Sequence, residues 1–225
     1  MTTPSDDSKK VGSGFHLSYN RSGLGCLLLI IVVIVGTPLS FFLFYRLAPT
    51  DTILRFELNF QNYRGAHDTI QHAGPSAVPI LKEYMSDENT GTRITAVRVA
   101  GDFIFFHPKE SQPLVSALCQ YALQDANQHL KINATRALRD ANFPSDEIDQ
   151  TLLQLMKDKN NEIRLVAENT AIRRIVFGNV QSRILCEARD QLKPYLDRAE
   201  SDFCSAKALR AFLDICEGKE LTNQN

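Results

Sequence analysis

The chain has 225 residues, with 25 Lys plus Arg against 26 Asp plus Glu, which is room for one domain of roughly 100 to 150 residues with appendages. Setting aside Lys9, Lys10, Arg21, Arg46, Asp6 and Asp7 leaves 21 basic against 24 acidic residues from Asp51 onward, and so mild an acidity speaks against nucleic acid as a partner, since phosphate neutralisation needs a basic stripe. The five cysteines include no Cys-x-x-Cys pair, and the five histidines (His16, His67, His72, His107, His129) show no His-x3-His spacing, so no metal site and no cofactor are expected.

In chain order, residues 1–20 are polar, mixed in charge and dotted with Gly and Ser, the composition of a disordered tail. From Leu24 to Tyr45 every side chain is apolar or small except Thr37 and Ser40, and Leu27 to Val35 are all Leu, Ile or Val. A helix of that length, at about 1.5 Å per residue, crosses a hydrocarbon layer of roughly 30 Å, so residues 24–45 are expected to span the lipid bilayer once. The segment lacks the polar stripe of a soluble core helix. No small-x-small site follows Tyr45, as a cleaved signal peptide would require, and Cys26 precedes rather than follows the apolar run, which disfavours a lipid-modified cysteine. Pro38 is expected to bend the helix. Lys9, Lys10 and Arg21 precede the span and Arg46, Arg55 and Arg64 follow it, and the favoured orientation leaves the N-terminus cytoplasmic and the large domain extracytoplasmic.

Residues 51–74 read two ways. Leu54, Phe56, Leu58 and Phe60 alternate with polar neighbours as in a strand, whereas Phe56, Phe60 and Tyr63 suit a helix; with no partner strand in sight, a capping or linker helix is expected. The stretch 75–217 is dense in Leu, Ala, Ile and Val, and it repeats: Asp87, Asp125, Asp158 and Asp197 each stand nine residues before an alanine (Ala96, Ala134, Ala167, Ala206), at successive offsets of 38, 33 and 39. In the first three units a base lies six residues after the Asp, namely Arg93, Lys131 and Arg164. Such periods belong to helical-hairpin repeats. Pro75 with Ser76, Pro113, and Pro144 with Ser145 mark helix starts, and residues 218–225 are expected to form a second disordered tail.

The segments "AVPILKEYMSDENTGTRITAVRVAG" and "LLQLMKDKNNEIRLVAENTAIRRI" resemble the HEAT repeats, in particular the short bacterial kind named after phycobilisome lyases. The resemblance covers about Gly74 to Ile175 and, more loosely, the chain to Glu217. It implies an all-α fold, an α-solenoid of about three to four helical hairpins behind one transmembrane helix. It also implies a ladder of turn Asp and second-helix base that staples consecutive repeats: Asp87, Asp125 and Asp158 with Arg93, Lys131 and Arg164. The fourth unit departs from the pattern, with Phe203 in place of the base and Pro194 inside its first helix.

No Walker, Rossmann, nucleophile-elbow or zincin motif occurs, so the chain is not read as an enzyme and no catalytic residue is nominated. The carboxylates of Asp146, Glu147 and Asp149 stand near a helix start, where they complement its dipole. More telling is a register match: Arg98 and Arg136 lie eleven residues after their Asp, and Asp102 and Asp140 fifteen after. Each Arg would then meet an Asp at i+4 on one exposed face, either as a solvated ion-pair row or as a strip that binds a protein partner, extended by Arg139, Arg173 and Arg174. Cys186 and Cys216 sit symmetrically about a turn near Glu200 and Ser201; a disulfide is open to them outside the cytoplasm, with two buried free thiols the favoured state. Asn133-Ala134-Thr135 is a glycosylation sequon expected to stay empty, because Ala134 faces inward. The function expected is a membrane-anchored protein-interaction scaffold; the alternatives are an enzyme of the lyase-like group or a structural spacer subunit of a membrane complex.

Overall fold

The computed structural model describes residues 36–178, 183–194 and 203–218, with the side chains of 177–178 and 203–209 excepted. The expected tails at 1–20 and 219–225, and residues 24–35 of the expected membrane span, lie outside the described residues. All described secondary structure is helical. The chain divides into two units, Met1–Ala48 and Pro49–Asn225.

In the first unit a single described helix, α1 (Thr37–Leu47), carries Pro38 in its first turn and Arg46 in its last. No residue of α1 is buried. Leu39, Phe41, Phe42, Leu43, Tyr45 and Leu47 are all exposed, Leu47 to 75%, an apolar density that water does not favour around a folded helix. Among the described residues no helix is long and apolar enough to cross a membrane.

The second unit is built of helical hairpins. Its helices are α2 (Thr50–Asn59), α3 (Tyr63–Ile70), α4 (Ala77–Met85), α5 (Thr90–Phe106), α6 (Gln112–Gln124), α7 (Gln128–Ala137), α8 (Asp146–Leu155), α9 (Asn161–Gly178), α10 (Arg189–Leu192) and α11 (Phe203–Cys216), with 3-10 turns at Leu138–Asp140 and Ile184–Ala188. Helices α2 and α3, α4 and α5, α6 and α7, and α8 and α9 pack as pairs, and the pairs then stack in two rows. In the first row α2 meets α4, α4 meets α6, α6 meets α8, and α8 meets the turn at Ile184–Ala188. In the second row α3 meets α5, α5 meets α7, α7 meets α9, and α9 meets α11. Residues 51–74, expected as one capping helix, are thus a full hairpin, with the break at Gln61, whose φ of 54° lies in the left-handed region.

The apolar periodicity of each helix places its stripe between the rows. Leu54, Leu58, Leu81, Phe103, Leu118 and Leu130 are fully buried, each worth about 1.5 to 3 kcal/mol of burial. Small residues set the spacing. A Cβ added at Gly101 of α5 would lie 2.9 Å from both the Cα and the Cβ of Ala137 in α7, so the two helices touch there backbone to backbone. Ala96, Ala134 and Ala167, the repeating alanines, are fully buried.

Candidate functional site

Every second-row helix of the first four hairpins starts the same way. Asn62, Asn89, Asn127 and Asn160 stand just before α3, α5, α7 and α9, and each side-chain oxygen accepts a backbone N–H of the first turn: from Gly65, from Gly91 and Thr92, from His129 and Leu130, and from Glu162. Asparagine is among the best residues for satisfying these orphan donors. In three of the four turns an Asp two residues earlier accepts the Asn N–H at 2.7 Å: Asp87 to Asn89, Asp125 to Asn127 and Asp158 to Asn160. The first hairpin has Phe60 in the Asp position and uses Glu57 instead. That side chain is 1% exposed and takes a short hydrogen bond from the Asn62 amide. The recurring Asp-x-Asn is therefore first a turn and cap device.

The ladder implied by the resemblance is accordingly reduced. Arg93 Nη1 lies 3.8 Å from Asp125 Oδ2 and joins the second hairpin to the third. Arg164 turns back into its own loop, donating to the carbonyls of Asp158 and Lys159 at 2.8 and 3.0 Å and to Asn161 Oδ1 at 2.9 Å. Among the described residues no ion pair joins Lys131 to Asp158, or Asp87 to any base. Other polar contacts hold the first row together, including Arg55 with Glu83 at 2.9 Å, and Gln112 Nε2 and Ser116 Oγ donating to Glu147 at 3.2 and 2.9 Å. Glu147 thus does more than complement a helix dipole.

The common register of the second-row helices brings a polar groove into being. Tyr63 of α3, Arg98 and Asp102 of α5, Asn133, Arg136 and Ala137 of α7, and Arg139 and Asp140 of the following turn line a cavity of about 360 Å³. The arginines do not pair as the i+4 spacing predicts. Asp102 is held from α3 instead, with Oδ2 2.9 Å from His67 Nδ1 and Oδ1 accepting from the Tyr63 hydroxyl at 3.3 Å. Asp140 takes the Nε of adjacent Arg139 at 3.0 Å. Arg98 lies over the Tyr63 ring, its guanidinium carbon 3.8 Å from the centroid, a cation–π stack. Among the described residues neither Arg98 nor Arg136 has an ion-pair partner, and both are exposed.

Burial raises the Tyr63 phenol above its ordinary range, and the neighbouring Asp102 charge adds to the effect. The Asp140 carboxyl is also raised, chiefly by burial, while Arg139 and then Arg173 of α9 pull it back. Arg173 is exposed and its charge is felt at Asp140, though it is not one of the residues that line the groove. Arg174 is no part of the groove either. It is 0% exposed; its guanidinium donates to the carbonyls of Ala141 and Phe143 and pairs with buried Asp149 at 3.4 Å, with burial lowering its proton affinity. It joins the third hairpin to the fourth and is out of a partner's reach. Tyr63 and His67 are the site residues that sequence reasoning missed, because 51–74 reads as a single capping or linker helix and not as a hairpin with a second-row helix of its own; the Asn62 cap was the available signal.

Cys186 and Cys216 are bonded to each other, against the expectation of free thiols, so the turn at Ile184–Ala188 is tied to the end of α11. Cys119 is a buried free thiol whose burial pushes it up to about 11. Asn133, the sequon residue, donates its Nδ2 to the carbonyl of His129 at 2.7 Å, and Ala134 is fully buried. No group of His, Cys, Asp and Glu suited to a metal occurs among the described residues. Fold and groove together define an all-helical protein of stacked hairpins with an arginine-bearing polar groove on its second row. No protein-family model, no curated protein and no solved structure matches the chain.

Proposed function

We propose that the chain is a membrane-anchored scaffold whose hairpin array, a solenoid of the HEAT-repeat kind, binds another protein through its second row. The observation that carries this reading is the convergence of Arg98, Arg136 and Arg139 from successive elements on one groove, a repeated surface of the sort on which stacked repeats hold their partners. Membrane anchoring is supported by α1, an apolar helix with none of its side chains buried, continuing the apolar run that begins at Leu24. The Cys186–Cys216 bond supports a domain on the oxidising, extracytoplasmic side, because reducing compartments keep such thiols unpaired. Single photo-crosslinking residues placed at His129 and Arg173 in the second row and at Glu88 and Lys82 elsewhere, all exposed, test the reading in cells. One reproducible adduct from the second-row positions alone is the expected result; adducts from none of them, or equally from all four, defeat it.

A further inference from the structure

We propose that the second-row groove recognises an extended acidic segment of the partner, with two carboxylates three residues apart seated on Arg98 and Arg136. The proposal rests on the scaffold reading above and specifies its ligand. The groove's own acids have nearer neighbours than these two arginines: Asp102 accepts from the Tyr63 hydroxyl and has the His67 ring 2.9 Å from its other oxygen, and Asp140 is paired with Arg139. Arg98 and Arg136 are left without a carboxylate among the described residues. Arg98 is also held in place, since its guanidinium carbon lies 3.8 Å from the Tyr63 ring centroid, and a guanidinium can bind a carboxylate in bidentate fashion.

The spacing follows from the register. Arg98 and Arg136 each stand nine residues after the Asn that caps their helix, Asn89 and Asn127, and α5 and α7 are packed neighbours. Packed helices lie about 8 to 10 Å apart. Three residues of an extended polyproline-II segment, at about 3.1 Å each and three to a turn, cover the same distance and put both carboxylates on one face. Asn133 also lines the groove; its Nδ2 is used on His129 O, so its Oδ1 remains an acceptor for a backbone N–H of the bound segment. Asp102 and Asp140 supply discrimination, because a carboxylate out of step would meet one of them rather than an arginine. A volume of about 360 Å³ with polar walls suits a short polar segment rather than an apolar side chain.

The test uses the full chain in detergent micelles with nitrogen-15 arginine, and follows the side-chain Nε resonances. The probe is the blocked hexapeptide Gly-Glu-Gly-Gly-Glu-Gly; its controls are the Gln-for-Glu version, a version with adjacent glutamates, and inorganic phosphate. The resonances assigned to Arg98 and Arg136 through Arg98→Gln and Arg136→Gln should move together with the spaced peptide and not with the Gln version. Adjacent glutamates should bind at least about fivefold more weakly, and either substitution should weaken binding by roughly tenfold, with further loss at high salt. No movement at up to millimolar spaced peptide, equal response to spaced and adjacent glutamates, or equal saturation by phosphate overturns the proposal. A second-row crosslink that survives in the doubly substituted protein would overturn acidic recognition while leaving the scaffold reading intact; loss of every second-row crosslink in the unaltered protein would instead remove the scaffold reading.

Discussion

Arg174 shows how much one side chain can carry. Its charge lies fully inside the array, where its two terminal nitrogens reach Asp149 and two carbonyls of the preceding hairpin's exit while Nε makes no hydrogen bond. Removing one partner of a buried pair strands the other, at about 3 to 5 kcal/mol, whereas an apolar pair of similar volume is far less costly. Arg174→Ala should therefore lower the unfolding free energy obtained from urea titration by that amount, and Arg174→Met combined with Asp149→Leu should restore most of it; equal loss in single and double variants would contradict the pairing. Its burial was legible in the sequence. Ile163, Ala167, Ala171 and Arg174 lie at helical spacing on one stripe, and Arg173 one step off it, yet two adjacent arginines read as surface because a buried charge is the rarer case. Cys119 offers a titration check. Its folded-state value is raised above the ordinary thiol to about 11, so the stability tied to its neutral form is complete below the unfolded thiol's range, near 8.5, and fades as pH climbs through 11. Iodoacetamide at pH 8 should leave the Cys119 tryptic peptide unlabelled in the folded protein and label it in urea; rapid labelling of the native form would mean that the thiol is accessible.

At the scale of elements, the hairpin period was readable because the same three features recur in the second, third and fourth hairpins: a turn acid, a cap and a small buried residue. The Asp and Ala were recognised; the Asn two residues after each Asp was equally visible at 89, 127 and 160 and carries more of the helix start than the acid does. Replacing Asn89 or Asn127 by Ala should cost about 0.5 to 2 kcal/mol each and add when combined, since they serve separate helices. Thermal unfolding monitored by circular dichroism reads this; no loss in either variant would show that the caps are dispensable. The first hairpin was hidden for a physical reason. Apolar residues at 54, 56, 58 and 60 fit two periods, and only tertiary packing, with Leu54 and Leu58 buried and Phe60 72% exposed, selects the helix. Gly101 was passed over because an isolated helical glycine has no local signature, yet its missing Cβ is what lets α5 reach Ala137. Gly101→Val should force those helices apart and destabilise by about 1 to 3 kcal/mol, with Ala137→Gly giving partial relief; a variant as stable as the parent would place the crossing elsewhere.

Across the molecule, each hairpin contacts chiefly its neighbours, so stability propagates along the array and is weakest at the ends. The groove was only half legible at this scale: its arginines share a sequence register, but the tyrosine and histidine that redirect Asp102 come from a different hairpin, and such convergence depends on stacking that no single repeat encodes. At the C-terminal end the disulfide closes a loop with a sequence separation of 30, and by the chain-entropy relation it should contribute about 3 to 4 kcal/mol. Replacing Cys186 and Cys216 together by serine should lower the unfolding temperature and expose α11 to protease first; identical proteolysis with and without the bond would mean that α11 does not depend on it.

The same bond bears on tension. Were a bound partner to pull on residues beyond Glu217 while the N-terminal segment stayed fixed in a bilayer, force would pass from Cys186 to Cys216 through the sulfurs and skip the chain between them. The bypassed stretch, at about 3.3 to 3.6 Å per extended residue, amounts to roughly 100 Å of tether that stays locked away until a reductant cuts the bond.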